Sequence, residues 1–146
     1  MATFGFRQYT GTFNIVHLPE AASQSFVDGD AVIISSGSIA VATDDDDIYG
    51  IAQMDASGTT GTMIPVIPLN PSQLWLCQSS ATTAESNKGV GYALVVTSGS
   101  MAVNPGSTAT PAFYIHKLDP RDGAHTGAGG RVIGAFYYTS MDGIGG

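Results

Sequence analysis

Positive charge is scarce in this chain. Arg7, Lys88, Lys117, Arg121 and Arg131 are its only basic residues apart from three histidines, and they stand against 12 acidic residues for a formal charge of −7. A protein that grips duplex nucleic acid displaces counterions with clustered cations. Five scattered ones do not form such a cluster, so direct nucleic-acid binding is not expected. The same shortage argues against an anionic membrane surface. Cys77 is the single cysteine, which excludes an intramolecular disulfide. Its neighbours Leu74-Trp75-Leu76 predict a strand, with Cys77 and Trp75 as core residues. No apolar run approaches the roughly 20 residues that span a bilayer. The opening MATFGFRQYTG has neither a basic start nor an apolar stretch, so no secretory leader is expected and synthesis is assigned to a cytoplasm. No segment of normal helix length carries a helical period.

What remains is β-forming. The 146 residues are 43% hydrophobic but only 12% charged, about half the usual charged share. This composition fits one domain, or two tightly joined β lobes, with a neutral, small-sided surface rich in Gly, Ser and Thr. Such a surface serves either as a set of interfaces or simply as the exterior of a turn-rich β protein. Ala31–Ile34 and Ser38–Ala42 flank Ser36-Gly37, a hairpin signal. Ile48–Ala52 resumes the strand pattern after four aspartates. Thr62–Leu69 contains two prolines, which predict an edge strand or an extended connector. Gln73–Gln78, Phe113–Leu118 and Arg131–Thr139 complete the expected strands. Residues 30–41, DAVIISSGSIAV, reappear 62 positions later as YALVVTSGSMAV, with six of twelve positions identical. The repeat predicts two β lobes of similar construction, over residues 25–72 and 73–146. Residues 1–24 read as an extended N-terminal arm with aromatic anchors. For Phe4, Phe6, Tyr9 and Phe13 two roles stay open, contact with a partner or packing on the chain's own core.

No chemistry-bearing constellation emerges. A calcium loop begun at Asp45 places Asp47 and Gly50 correctly, but puts Tyr49 and Ala56 where oxygen ligands belong. A solvated turn explains the aspartates better. His17, His116 and His125 lack metal-motif spacing. No serine lies in a nucleophile elbow, and neither lysine belongs to a phosphate-binding loop. Asp119 and Asp122 flank Arg121, which reads as a local turn with solvent-exposed pairing. No catalytic residue, cofactor or metal ligand is assigned, and no enzymatic activity is expected.

The order Gly29-Asp30, hairpin, acidic loop, Ile48-Tyr49-Gly50-Ile51-Ala52 resembles the capsid decoration (cement) proteins of tailed bacteriophages. Lys117–Asp122, the glycine-rich loop after it and Gly130-Arg131-Val132 add to that resemblance, which extends over roughly residues 18–139. It implies an all-β, hairpin-rich fold of tulip-like or barrel-like lobes. It also implies a homotrimer on the outer surface of the virion, bound to the major capsid protein and stabilising the shell. On that reading the arm supplies Phe4, Phe6, Arg7 and Tyr9 as capsid contacts, and deleting residues 1–12 should weaken shell binding without unfolding the chain. The competing reading is a carbohydrate- or host-surface-binding module of a phage tail. It requires an exposed aromatic platform, and Trp75 is the only tryptophan.

Overall fold

The computed structural model describes residues 3–43, 48–109 and 111–136. Among these the chain is all-β, with a single 3-10 turn at Glu85–Asn87. The strands are β1 (Arg7–Thr10), β2 (Val16–Pro19), β3 (Ala31–Ser35), β4 (Ser38–Val41), β5 (Gly50–Ala52) and β6 (Met63–Pro68). They continue with β7 (Leu74–Gln78), β8 (Val90–Val95), β9 (Ala102–Asn104), β10 (Phe113–Leu118) and β11 (Arg131–Phe136). They form two antiparallel sheets, ordered β2-β6-β5-β3-β4 and β1-β7-β11-β10-β8-β9.

Leaving β1 aside, each sheet has the same plan: first, fifth, fourth, second and third strand in chain order. The matching hairpins β3–β4 and β8–β9 also share their register, since Val32 faces Val41 where Leu94 faces Val103. In each lobe the first strand touches the third through one parallel bridge, Glu20 to Ile39 and Ser79 to Val103. Each five-strand unit therefore curls until its first and third strands touch, but no continuous ladder closes it into a barrel. The similarity of construction read from two hairpins extends to the whole strand order.

Local chemistry explains the first hairpin. Ser36 and Gly37 have φ of 51° and 82°, the left-handed pair that a two-residue turn between twisted strands requires. The prolines of β6 contradict the expected edge position, because β6 lies between β2 and β5. Pro65 falls just past the end of β5, where its carbonyl accepts the Gln53 N–H at 2.8 Å. Pro68 is the last residue of β6, beyond the span paired with β2. Neither missing N–H interrupts a ladder.

The extended arm is likewise corrected. β1 pairs antiparallel with β7, and β2 with β6, so most of residues 7–19 belongs to the sheets. Phe6 is 1% exposed and packs edge-on against Phe136 with centroids 4.9 Å apart. Gly5 makes this entry possible: with φ of 73°, it passes so close that a Cβ would lie 2.5 Å from the Gly29 carbonyl. One core joins the lobes, containing Ile48, Ile51, Ile67 and Leu69 together with Trp75, Phe113, Val132 and Phe136. A smaller cluster of Phe26, Val32, Ile39, Ile64 and Val66 belongs to the first sheet alone. The four aspartates of 44–47 and residues 137–139 of the last expected strand lie outside the described residues.

Candidate interaction surface

The four candidate contacts separate on inspection. Phe6 is sealed in the core and cannot meet a partner. Arg7 is held by its own chain: Nη1 donates to Asp28 Oδ1 at 2.9 Å, and Nε donates to the Phe4 carbonyl at 2.9 Å. Its guanidinium is thus already engaged by an acid of its own chain, Asp28. Phe4 is half-buried, and its N–H donates to Gln78 Oε1 at 3.3 Å. Tyr9 alone projects, 43% exposed.

Tyr9 belongs to a larger apolar face that the sequence did not single out. Its ring lies 5.2 Å from Lys117 Nζ, although β1 and β10 are separated by β7 and β11. The register lines Arg7, Leu76, Ile133 and Lys117 in one row across the four strands, with Tyr9 at the β1 bulge between Gln8 and Thr10. Ile133 is 1% exposed although it points away from the core. A bulge between Ile115 and Lys117 turns His116 and Lys117 outward together. Beside them Tyr114 and His116 stack edge-on at 4.9 Å. They line an open apolar depression of about 250 Å³ with Pro71, Ala135 and Phe136.

Several other charged groups serve the fold. Asp122 takes a two-point ion pair from Arg131 on β11, with Nε and Nη2 both at 2.8 Å, and also accepts the Arg131 N–H. Those bonds, the guanidinium first, hold its carboxyl well below the usual range. Asp119 is nearly buried and is held low chiefly by the Arg121 guanidinium. The expected local turn holds at Asp119, whose buried carboxylate pairs with the exposed Arg121 two residues on, whereas Asp122 leaves the turn and anchors the loop to β11 through Arg131. Glu20 is fully buried and accepts N–H bonds from Ser57 and Gly58 at 2.9 and 2.7 Å. Burial pushes the Cys77 thiol far up, which makes it a hydrophobe rather than a nucleophile. His125 is fixed by Thr83, and His17 lies exposed on β2. Among the described residues no three His, Cys, Asp or Glu side chains gather as a metal site. No helix among them is long and apolar enough to cross a membrane.

Trp75 is fully buried between Phe13 and Phe136, so the lone indole offers no platform to a sugar. No family model matches the chain, and no curated protein sequence matches it.

Proposed function

We infer that this chain is a non-enzymatic structural protein of a phage head, which decorates the outer surface of the assembled capsid and stabilises it by binding the major capsid protein as a homotrimer. The observation that carries this reading is the outer face of the second sheet. There Tyr9, Tyr114 and the Lys117 stem spread an apolar, weakly charged surface over β1, β7, β11 and β10. Such a face suits a flat protein partner, with aromatic side chains as anchors and a charge at the rim. The stretches that resemble decoration proteins build the β3–β4 hairpin, β5 and the loop pinned by Asp119 and Asp122. They serve as the scaffold behind that face.

Binding only to the finished shell stabilises it by mass action, and repetition over symmetry-related sites adds avidity. The reading is tested by co-sedimentation of the purified chain with expanded shells that lack it. Saturation near one copy per major capsid subunit, with a rise in the temperature at which the shells come apart, is the expected result. Failure to sediment at any concentration would overturn it.

A further inference from the structure

A histidine stands on the proposed docking face because of the bulge in β10. Strict alternation along a strand sends only every second side chain outward. Phe113 and Ile115 are buried and Tyr114 is exposed, as alternation requires. The bulge after Ile115 breaks that phase, so His116 and Lys117 are both exposed before Leu118 returns inward. An imidazole and an ammonium therefore leave the same side of the sheet as consecutive residues.

The imidazole lies in apolar company. Its ring meets Tyr114 edge-on with centroids 4.9 Å apart, and both rings line the depression of about 250 Å³ with Pro71, Ala135 and Phe136. The charged groups on the neighbouring elements are committed to one another. On β11, Arg131 pairs with Asp122 at 2.8 Å. Ahead of β8, Lys88 pairs with Glu85 of the 3-10 turn at 2.7 Å. At the end of β10, Asp119 pairs with Arg121. The turn that carries Pro71, residues 70–73, has no ionisable side chain. Glu85, Asp119 and Asp122 thus each hold a cation already, while the charge next to His116 along β10 is the like-signed Lys117.

We propose that His116 makes docking of this face pH-dependent: the face binds with the imidazole neutral and binds more weakly once the ring takes a proton. This rests on the capsid-binding reading, with the shell as the partner. A histidine changes charge between about pH 5 and pH 8. On the free chain the exposed imidazolium keeps its water. Docking strips that water from a cation whose neighbours are aromatic and aliphatic, which disfavours the charged form. Lys117 adds repulsion of like sign. Docking therefore expels the proton, and affinity is full above the titration of the free ring and lost as pH falls through it. The linkage that couples folding to protons limits this loss to about tenfold per pH unit for one group. Asp119 and Asp122 are held below the ordinary carboxylate range, so they keep their charge across this window.

Binding to expanded shells, measured by co-sedimentation between about pH 5.5 and pH 7.5, reads the effect directly. The parent should lose at least tenfold in affinity from the upper to the lower pH. His116→Gln, neutral throughout, should bind at the lower pH nearly as well as at the upper. His116→Arg, charged throughout, should bind weakly at both. His17→Gln and His125→Gln should keep the parental slope. The position is exposed, so urea midpoints at neutral pH should match the parent in the two His116 variants. Parallel pH profiles for the parent and His116→Gln overturn the proposal, because the slope then belongs to the shell or to another residue. Tighter binding of the parent at low pH, lost in His116→Gln, also overturns it, since the imidazolium would then be meeting an acid of the shell. If the unmodified chain binds shells at no pH in this range, the capsid reading falls and this proposal with it.

Discussion

Ser98 Oγ donates to Asp30 Oδ2 at 2.8 Å, joining the turn of the second hairpin to the residue that opens the first. Asp30 is 1% exposed and also accepts the N–H groups of Val27 and Gly99, at 3.0 and 3.2 Å. The two copies of the repeated motif are thus locked together at the lobe boundary by one carboxylate. Asp30→Ala removes the buried acceptor that three donors share, at about 1–3 kcal/mol for each donor that water does not reach. A fall of at least 2 kcal/mol in the unfolding free energy is therefore expected, read from urea titration of Trp75 fluorescence. Serine 98 alone, as Ser98→Ala, should cost about 1 kcal/mol because the two backbone donors keep their acceptor. An Asp30→Ala protein as stable as the parent would refute the lock.

Phe6 makes the N-terminal segment part of the fold. Its ring meets Phe136 at 4.9 Å and Phe113 at 6.2 Å within the shared core. Phe6→Ala should cost about 3–5 kcal/mol, the range for emptying an aromatic site. Deleting residues 1–12 removes Phe6 and all of β1, uncovering the β7 edge and Trp75's surroundings. That truncation should lose cooperative unfolding and open Trp75 to iodide quenching. A truncated chain with a parental melting curve would restore the picture of a dispensable arm.

What could be read from the sequence was local. Ser36-Gly37 encodes its own turn, and the apolar runs on either side encode strands, so both hairpins and the all-β class were legible. Strand order was not, because it depends on pairings such as Arg7 with Leu76, far apart in the chain. Phe6 illustrates the difficulty: an aromatic residue among Gly, Thr and Gln has the same local sequence whether it docks on a partner or on Phe136. The prolines of β6 misled for a related reason. A proline weakens a ladder only where a neighbour needs its N–H, and the ends of β2 and β5 are set by tertiary structure. The candidate face was invisible because Tyr9 and Lys117 meet across two intervening strands.

Acid should weaken the loop that Asp119 and Asp122 hold. Both carboxyls have folded pKa values below the ordinary value of about 3.9, lowered first by the Arg121 and Arg131 guanidinium groups respectively. A group depressed in the folded state binds its proton more readily when unfolded. Its stabilisation is therefore full above the unfolded pKa and is lost as pH falls through the folded one. Urea midpoints should decline between about pH 5 and pH 2, and the decline should be shallower in Asp122→Asn. Parallel pH profiles for the two proteins would show that the Arg131 pair adds nothing.

Cys77 should be silent toward thiol reagents in the native protein. Burial in the shared core both shields the sulfur and disfavours the thiolate, which is the reactive form. Mixing with an aromatic disulfide at pH 8 should release no chromophore until denaturant is added, and then one equivalent. Release at the rate of an exposed cysteine would mean that the core opens far more often than its packing implies.

Tyr9 separates the interaction face from the fold. Its ring is 43% exposed and its main fixed neighbour is the Lys117 ammonium at 5.2 Å, an arrangement worth about 0.5–1 kcal/mol at an exposed site. Tyr9→Ala should consequently leave the melting temperature within a few degrees of the parent. On shells the same change removes an aromatic anchor from the middle of the apolar face, and a tenfold or greater loss of affinity is expected. Lys117→Met keeps an aliphatic stem opposite Ile133 while removing the charge. If the face binds through apolar contact, this variant should hold its affinity and lose only salt dependence. If Tyr9→Ala binds shells as tightly as the parent while Lys117→Met does not, the contact is electrostatic and the apolar face is not the docking surface.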